Sequence, residues 1–190
     1  MTAAQSIRQF KAVTDALGIE VSELGCVMLP VSSFDVFDGR EGLLDQADLY
    51  TSTNPEHWWV DGAVAAKGGH VTLLYGLLQR AWQIEDQVRA VLADWEPPAQ
   101  LSVSHVEVFD SPDPDEPYGC VVARLDVTRE LADAHARLSF LPHVDTFPEY
   151  KPHVTLAYVK RRKAHDWADL LNLDTLTFDV IPELDLGKRS

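Results

Sequence analysis

Two histidines that share one local pattern are the residues in this sequence best suited to acid and base chemistry. The stretch GGHVTLLYG contains His70 and Thr72, and KPHVTLAYV repeats the same order with His153 and Thr155. An imidazole has a pKa near 6.5, so at neutral pH one histidine can be neutral while another is protonated. Threonine hydroxyls are short donors for oxygens on which negative charge develops. The repeated motif therefore predicts a site with a base, an acid and two hydrogen-bond donors.

Apolar residues around the motifs predict that each motif lies on a β-strand. Side chains alternate along a strand, so His70 and Thr72 face one side while Val71 and Leu73 face the core. The second motif repeats this arrangement residue by residue. We therefore expect the two strands to occupy equivalent positions in two half-domains, with a groove between them.

The two motifs and their flanking segments resemble the 2H (two-histidine) phosphoesterase superfamily. The similarity runs from about Gly25 to Lys160, and it includes GCVMLPV, DLYT and the long second form EYKPHVTLAYVK. Taken together, these segments are most similar to phage-encoded anti-CBASS nucleases, which destroy the host's cyclic-oligonucleotide alarm signal. The resemblance implies a metal-independent phosphodiesterase, without a cofactor, that cleaves cyclic di- or trinucleotides.

The resemblance implies catalytic roles for His70, Thr72, His153 and Thr155. Cleavage of a ribose phosphodiester needs a base to take the 2'-hydroxyl proton, an acid to protonate the leaving oxygen, and donors for the phosphoryl oxygens. The two histidines and two threonines meet these needs without a metal. Which histidine acts as base depends on the orientation of the substrate, and it stays open here.

Three further residues are candidates for binding substrate. Tyr50, in the DLYT segment of the resemblance, is the preferred residue for stacking on a base, and such stacking is worth about 1–3 kcal/mol. Lys151, just before the second motif, offers positive charge, and Tyr158 lies at the end of that motif. For the adjacent Trp58 and Trp59, packing on the core or capping the surface is favoured over base stacking.

Several other functions are compatible with the same residues. The protein could act on RNA ends or 2',3'-cyclic phosphates, bind a nucleotide without cleaving it, or keep the motif for packing alone. A zinc site is disfavoured because no HxxxH, CxxC or clustered carboxylate spacing accompanies the histidines. The remaining histidines lack a repeated context, and we interpret them as structural or surface residues: His57, His105, His135, His143 and His165.

Composition places these motifs in one globular domain spanning residues 1–190, because 190 residues with 46% hydrophobic content can bury a single core. No apolar run approaches the roughly 18 residues of a membrane span, and the N-terminus lacks the apolar core of a signal peptide. We expect a cytoplasmic protein, in the host cytosol if viral, with no membrane partner. Cys26 and Cys120 are expected to be reduced core residues.

The net charge of −14 argues against binding of long nucleic acids, which usually requires a basic surface. A small cyclic oligonucleotide or nucleotide could still bind where positive charge is concentrated. The basic run Lys160–Lys163 follows the second motif, and we interpret its outer members as a solvated helix start or strand-end loop. The oligomeric state is not predicted.

Periodicity and turn residues predict the elements around the motifs. Helical spacing predicts helices over residues 3–17, 81–96, 128–141 (N-cap Thr128) and 164–173. Apolar or alternating runs predict strands, besides the two motifs, over residues 25–31, 101–109, 120–127 and 175–181. Residues 32–66 lack a period, and a loop of this length is usually functional. The predicted fold is α+β, a two-lobed 2H phosphoesterase fold with antiparallel sheets, helices on the outside and a central groove.

Overall fold

An antiparallel sheet of six strands is the centre of the fold in the computed structural model, which describes residues 14–16, 18–20, 24–53, 60–109, 116–145, 149–171 and 176–187. Its order is β1-β2-β5-β4-β3-β6. The strands are β1 (Gly25–Val31), β2 (Gly69–Leu77), β3 (Gln100–Phe109), β4 (Tyr118–Leu125), β5 (His153–Lys160) and β6 (Thr177–Asp179). The first motif lies on β2 and the second on β5. The predicted fold class is confirmed.

The two motif strands are direct neighbours in this sheet. β2 pairs with β5 in antiparallel orientation through Val71 and Val154. Gly69 permits this close approach, because a Cβ atom at that position would lie 2.7 Å from Cγ1 of Val154. The pairing joins β1-β2 and β5-β4-β3-β6 into one sheet. The predicted lobes are therefore two halves of a continuous sheet, because their motif strands meet directly.

One face of the sheet carries the hydrophobic core. The side chains that alternate toward this face on the motif strands are fully buried: Val71, Leu73, Val154 and Leu156. Three helices contribute to the same core, namely α1 (Glu85–Val91), α2 (Arg129–Leu138) and α3 (Ala164–Leu170). The core therefore leaves the opposite face of the sheet to the histidines and threonines.

The helices differ from their predicted bounds mainly at the ends. Residues 81–96 were predicted as one helix, but Ala81–Ile84 form a 3-10 turn and the α-helix ends at Val91. Trp95, beyond this end, instead donates its indole N–H to the carbonyl of Glu130 at 2.9 Å. The predicted N-cap is confirmed, because Thr128 Oγ1 accepts a hydrogen bond from the amide of Leu131. None of the helices within the described ranges is long and apolar enough to cross a membrane.

Part of the described portion of segment 32–66 lies along the half of β5 that extends past β2. The amide of Tyr50 donates to the carbonyl of Tyr158 at 2.9 Å, and the amide of Tyr158 donates to the carbonyl of Gly62 at 2.8 Å. Short 3-10 turns at Gln46–Asp48 and Val64–Lys67 complete the described part of this segment. The predictions for Trp58, Trp59 and His57 concern residues outside the described ranges, as does most of the predicted helix at 3–17, of which residues 14–16 are helical.

Candidate active site

The four motif side chains come together on the open face of the sheet. Because Val71 pairs with Val154, the antiparallel register sets His70 across from Thr155 and Thr72 across from His153. Directly opposed residues have Cβ atoms about 4.5–5.5 Å apart, and diagonal ones such as the two histidines about 7–8 Å. Each histidine thus lies beside the threonine of the other motif. An oxygen-rich group between the strands can contact all four side chains.

His153 is held by its own backbone environment. Its Nδ1 lies 2.8 Å from the carbonyl oxygen of Lys151, and a carbonyl only accepts, so Nδ1 carries the hydrogen. Nε2 is then the nitrogen available for proton transfer. Burial lowers the pKa of His153 most; the Lys151 carbonyl raises it, the Arg124 and His70 charges lower it, and Glu107 raises it.

His70 is more exposed than His153. Partial burial of the imidazole lowers the pKa of His70 below the usual value, and the carboxylate of Asp185 raises it. Asp185 is fixed beside β1, because its amide and carbonyl both bond to the backbone of Met28 at 2.9 Å. Burial thus lowers the pKa of both histidines, but the charges that act on them differ.

A β-bulge follows each threonine and extends the repeat. Leu73 on β2 and Leu156 on β5 are the extra residues, since the pairing register shifts by one at both positions. The shift brings Tyr75 and Tyr158 to the side of the histidines, each across from a cysteine. The spacing of histidine, threonine and tyrosine is identical in the two motifs. This repeat was visible in the sequence, where only Tyr158 was selected.

The cysteines repeat along with the motifs. Cys26 Sγ lies 4.0 Å from Thr72 Oγ1, and Cys120 Sγ lies 3.8 Å from Thr155 Oγ1. Burial raises the pKa of Cys26 to about 12 and that of Cys120 to about 11, so both are thiols that can donate to the threonine oxygen. Both cysteines are free, as predicted, but they lie half-buried on the histidine side and not in the core.

Beyond the Val71–Val154 pair, backbone carbonyls of β2 accept hydrogen bonds from side chains. The hydroxyl of Tyr150 donates to the carbonyl of Thr72 at 3.3 Å, and Nδ1 of His135 donates to the carbonyl of Leu73 at 2.7 Å. The His135 and Tyr150 rings stack at 4.1 Å, which couples the two contacts. His135 is therefore structural, as predicted, and it supports the strand that carries Thr72.

The predicted substrate-binding residues lie at two places. The ring of Tyr50 stacks on Tyr118 at 5.4 Å, and Tyr118 packs edge-on against Tyr158 at 5.6 Å, so Tyr50 and Tyr158 share one aromatic cluster. Lys151 contacts His153 through its carbonyl, whereas its ammonium lies 3.9 Å from a carboxylate oxygen of Glu149. Tyr118 was missed by the sequence analysis, because its position beside Tyr158 depends on the pairing of β4 with β5.

Three more residues beside His153 were also missed. Arg124 on β4 lies directly across from His153, and Phe109 on β3 packs its ring 4.6 Å from the imidazole. Glu107 on β3 forms an ion pair with Arg124, with 3.1 Å between Nε and Oε1. The sequence did contain a signal for Arg124, namely an arginine within the apolar run CVVARL. A charged side chain in a central strand is normally paired with another group.

Lys160 at the end of β5 and Arg161 after it make hydrogen bonds within the fold. Lys160 Nζ donates to the carbonyl of Ala47 at 2.6 Å, and Arg161 Nη1 donates to the carbonyl of Glu116 at 3.3 Å. Arg161–Lys163 form a 3-10 turn that leads into α3, in agreement with the predicted helix start. Across the described ranges, no group of three or more histidine, cysteine, aspartate or glutamate side chains is placed to hold a metal ion.

Comparisons with known proteins agree with this geometry. A family model described as the 2'-5' RNA ligase superfamily matches residues 55–189. Two solved structures of Usb1 from Kluyveromyces marxianus share the fold. The first has 14% identity and a TM-score of 0.55, covering 88% of this chain and 96% of that one. The second, solved with uridine monophosphate, has 14% identity and a TM-score of 0.56, covering 90% and 97%. No curated protein sequence matches.

Proposed function

Since the chain belongs to the 2'-5' RNA ligase superfamily of 2H phosphoesterases, we propose that it is a metal-independent phosphodiesterase that cleaves cyclic di- or trinucleotides. In a phage-infected cell such an activity would remove an immune signal, as anti-CBASS nucleases do. The observation that carries the proposal is the pairing of Val71 with Val154, which gathers a histidine and a threonine from each motif on one open face.

The proposed reaction uses the four side chains as base, acid and donors. One neutral imidazole takes the proton of a ribose 2'-hydroxyl, and that oxygen attacks the adjacent phosphorus. The bond from phosphorus to the 5'-oxygen breaks, and the other histidine, protonated, gives its proton to the leaving oxygen. Thr72 and Thr155 donate to the non-bridging oxygens as charge develops. The ring is opened, and a 2',3'-cyclic phosphate end forms that water can then hydrolyse.

Action on RNA ends or on 2',3'-cyclic phosphates is a second candidate. The name of the family supports it, as does the likeness to a Usb1 structure that contains uridine monophosphate. The same four side chains would act, and only the substrate differs. The net charge of −14 disfavours a long polymer in either case, so we propose a small nucleotide or a short end as the substrate.

One experiment separates these functions. The purified protein is incubated with cyclic di- and trinucleotides, 2',3'-cyclic mononucleotides and short RNAs, with and without EDTA, and the products are resolved by chromatography. Linear products from a cyclic oligonucleotide, formed equally in EDTA, are expected. Cleavage restricted to 2',3'-cyclic ends would favour the second candidate, and binding without any product would indicate a nucleotide sponge. Activity that is lost in EDTA and restored by a divalent ion would refute metal independence.

A further inference from the structure

Arg124 is a buried cation beside a candidate catalytic histidine. It lies on β4 directly across from His153, and 12% of its side chain is exposed. Its neighbours along β4 are apolar and buried, including Ala123 and Leu125. Charged side chains are rarely buried this far unless their charge is matched.

The hydrogen-bonding groups of Arg124 are only partly paired. Its Nε lies 3.1 Å from Glu107 Oε1, yet the orientation does not make a hydrogen bond, and neither Nε nor Nη1 bonds to any residue in the described ranges. The guanidinium lies 6.0 Å from the centre of the Phe109 ring, which itself packs against His153. Buried donors are nearly always paired in native proteins, so the two unbonded nitrogens of Arg124, Nε and Nη1, indicate room for a further hydrogen-bond acceptor.

Three other basic side chains at the second motif have contacts elsewhere. Lys160 and Arg161 donate to backbone carbonyls, and the ammonium of Lys151 faces Glu149. An anionic substrate approaching a chain of net charge −14 needs a local cation. A guanidinium matches the geometry of phosphate oxygens better than an ammonium does, because its N–H groups form a planar fork.

On the basis of the proposed function, we propose that Arg124 binds a non-bridging phosphoryl oxygen of the substrate beside His153. The phosphate would supply the partner that the guanidinium lacks. Glu107 would hold Arg124 in place and partly offset its charge while the site is empty. Burial, and to a lesser degree the same cation, lowers the pKa of His153.

The test measures binding of inorganic phosphate to the full chain by calorimetry and by the change in melting temperature. Variants Arg124→Gln, Arg124→Lys and Glu107→Gln are compared with Arg137→Gln, in which a guanidinium paired with Asp94 and Asp133 is removed. We expect Arg124→Gln to weaken phosphate binding by roughly tenfold or more, as charge-assisted hydrogen bonds are lost. Arg124→Lys should retain part of the affinity, Glu107→Gln should tighten binding, and Arg137→Gln should match the wild type.

Folded Arg124→Gln protein that binds phosphate as tightly as the wild type would overturn the proposal. If that variant does not fold, Arg124→Lys and Glu107→Gln test the proposal instead. Unchanged phosphate affinity in both variants would overturn the proposal. Phosphate binding requires no turnover, so the two proposals fail separately. Arg124-dependent binding in a protein that cleaves no nucleotide would refute the phosphodiesterase alone. Cleavage with an unchanged Michaelis constant in Arg124→Gln would refute the anion site alone.

Discussion

The two halves of the candidate site share a motif and differ in what surrounds it. His153 faces Arg124 on its outer neighbour strand, whereas His70 faces Pro30 on β1. Tyr158 lies in an aromatic cluster with Tyr50 and Tyr118. Tyr75, its counterpart in the first motif, packs against the aliphatic cluster of Leu24 and Val144.

Under the proposed function, this difference would separate the chemistry from substrate recognition. The repeated strands would supply equivalent groups for proton transfer, so we expect both histidines to be needed for turnover. Outside the repeated strands, Arg124 and the cluster of Tyr50, Tyr118 and Tyr158 lie on the His153 side. We therefore expect losses of chemistry from changes in either half, and losses of binding mainly from changes in the second.

Replacing either histidine tests the equivalence of the halves and should have the largest effect. His70→Ala and His153→Ala should each lower turnover by about 10² or more, the usual scale for a lost general acid or base, with binding largely kept. His165→Ala, on the exposed side of α3, is the matched control. Near-wild-type turnover in either motif variant would rule out the two-histidine mechanism.

Separating the halves should have the next largest effect. A side chain at residue 69 would collide with Val154, so Gly69→Val should push β2 and β5 apart. Overpacking costs about 1–3 kcal/mol of folding free energy, and a misplacement of about 1 Å can lower the rate by up to about 10². Melting temperature and turnover should both fall, and Gly69→Ala combined with Val154→Ala should recover part of each. Wild-type values in Gly69→Val would mean that the close approach is unimportant.

The aromatic cluster tests whether recognition belongs to the His153 half. Tyr50→Ala should remove about 1–3 kcal/mol of base stacking and raise the Michaelis constant roughly tenfold to a hundredfold, with little change in turnover. Tyr50→Phe should largely restore it. Melting temperatures of both variants separate stacking on substrate from stacking on Tyr118. If Tyr50→Ala lowers stability but binds substrate normally, the stacking role is wrong.

The pH dependence of stability should show the smallest effect. The pKa of both histidines is lowered in the fold from a usual value of about 6.5, so the unfolded chain binds protons first as pH falls. The stability that the two histidines contribute to the fold is fully present above about pH 6.5. It is lost as pH falls toward their pKa in the folded protein. Wild-type melting temperature should therefore decline more steeply below that pH than in His153→Gln.

The variant Asp185→Asn tests the charge that acts on His70 in a separate NMR titration. Removing a carboxylate that raises the pKa of His70 should lower that pKa further and leave His153 nearly unchanged, as measured by NMR titration of the imidazoles. Equal slopes of melting temperature against pH for the wild type and His153→Gln would contradict the assigned environment of His153. Equal pKa shifts of both histidines in Asp185→Asn would contradict that of His70.

Local pattern was enough to predict the motif strands and the N-cap of α2. Alternation of His70 and Thr72 with Val71 sets which side chains share a face, whatever the strand pairs with. The free state of the cysteines also followed from their spacing. Their place beside the threonines did not, because it depends on two bulges that shift the register after Thr72 and Thr155.

The sequence by itself determined two equivalent strands that each present a histidine and a threonine on one face, since side-chain direction along a strand is a local property. Only the tertiary structure decided that these strands touch at Val71 and Val154, that each histidine lies beside the other motif's threonine, and that Arg124 lies beside His153. These facts depend on strand order and register between residues far apart in the chain. Pairings of that kind are set by packing of the whole sheet, and no short pattern encodes them.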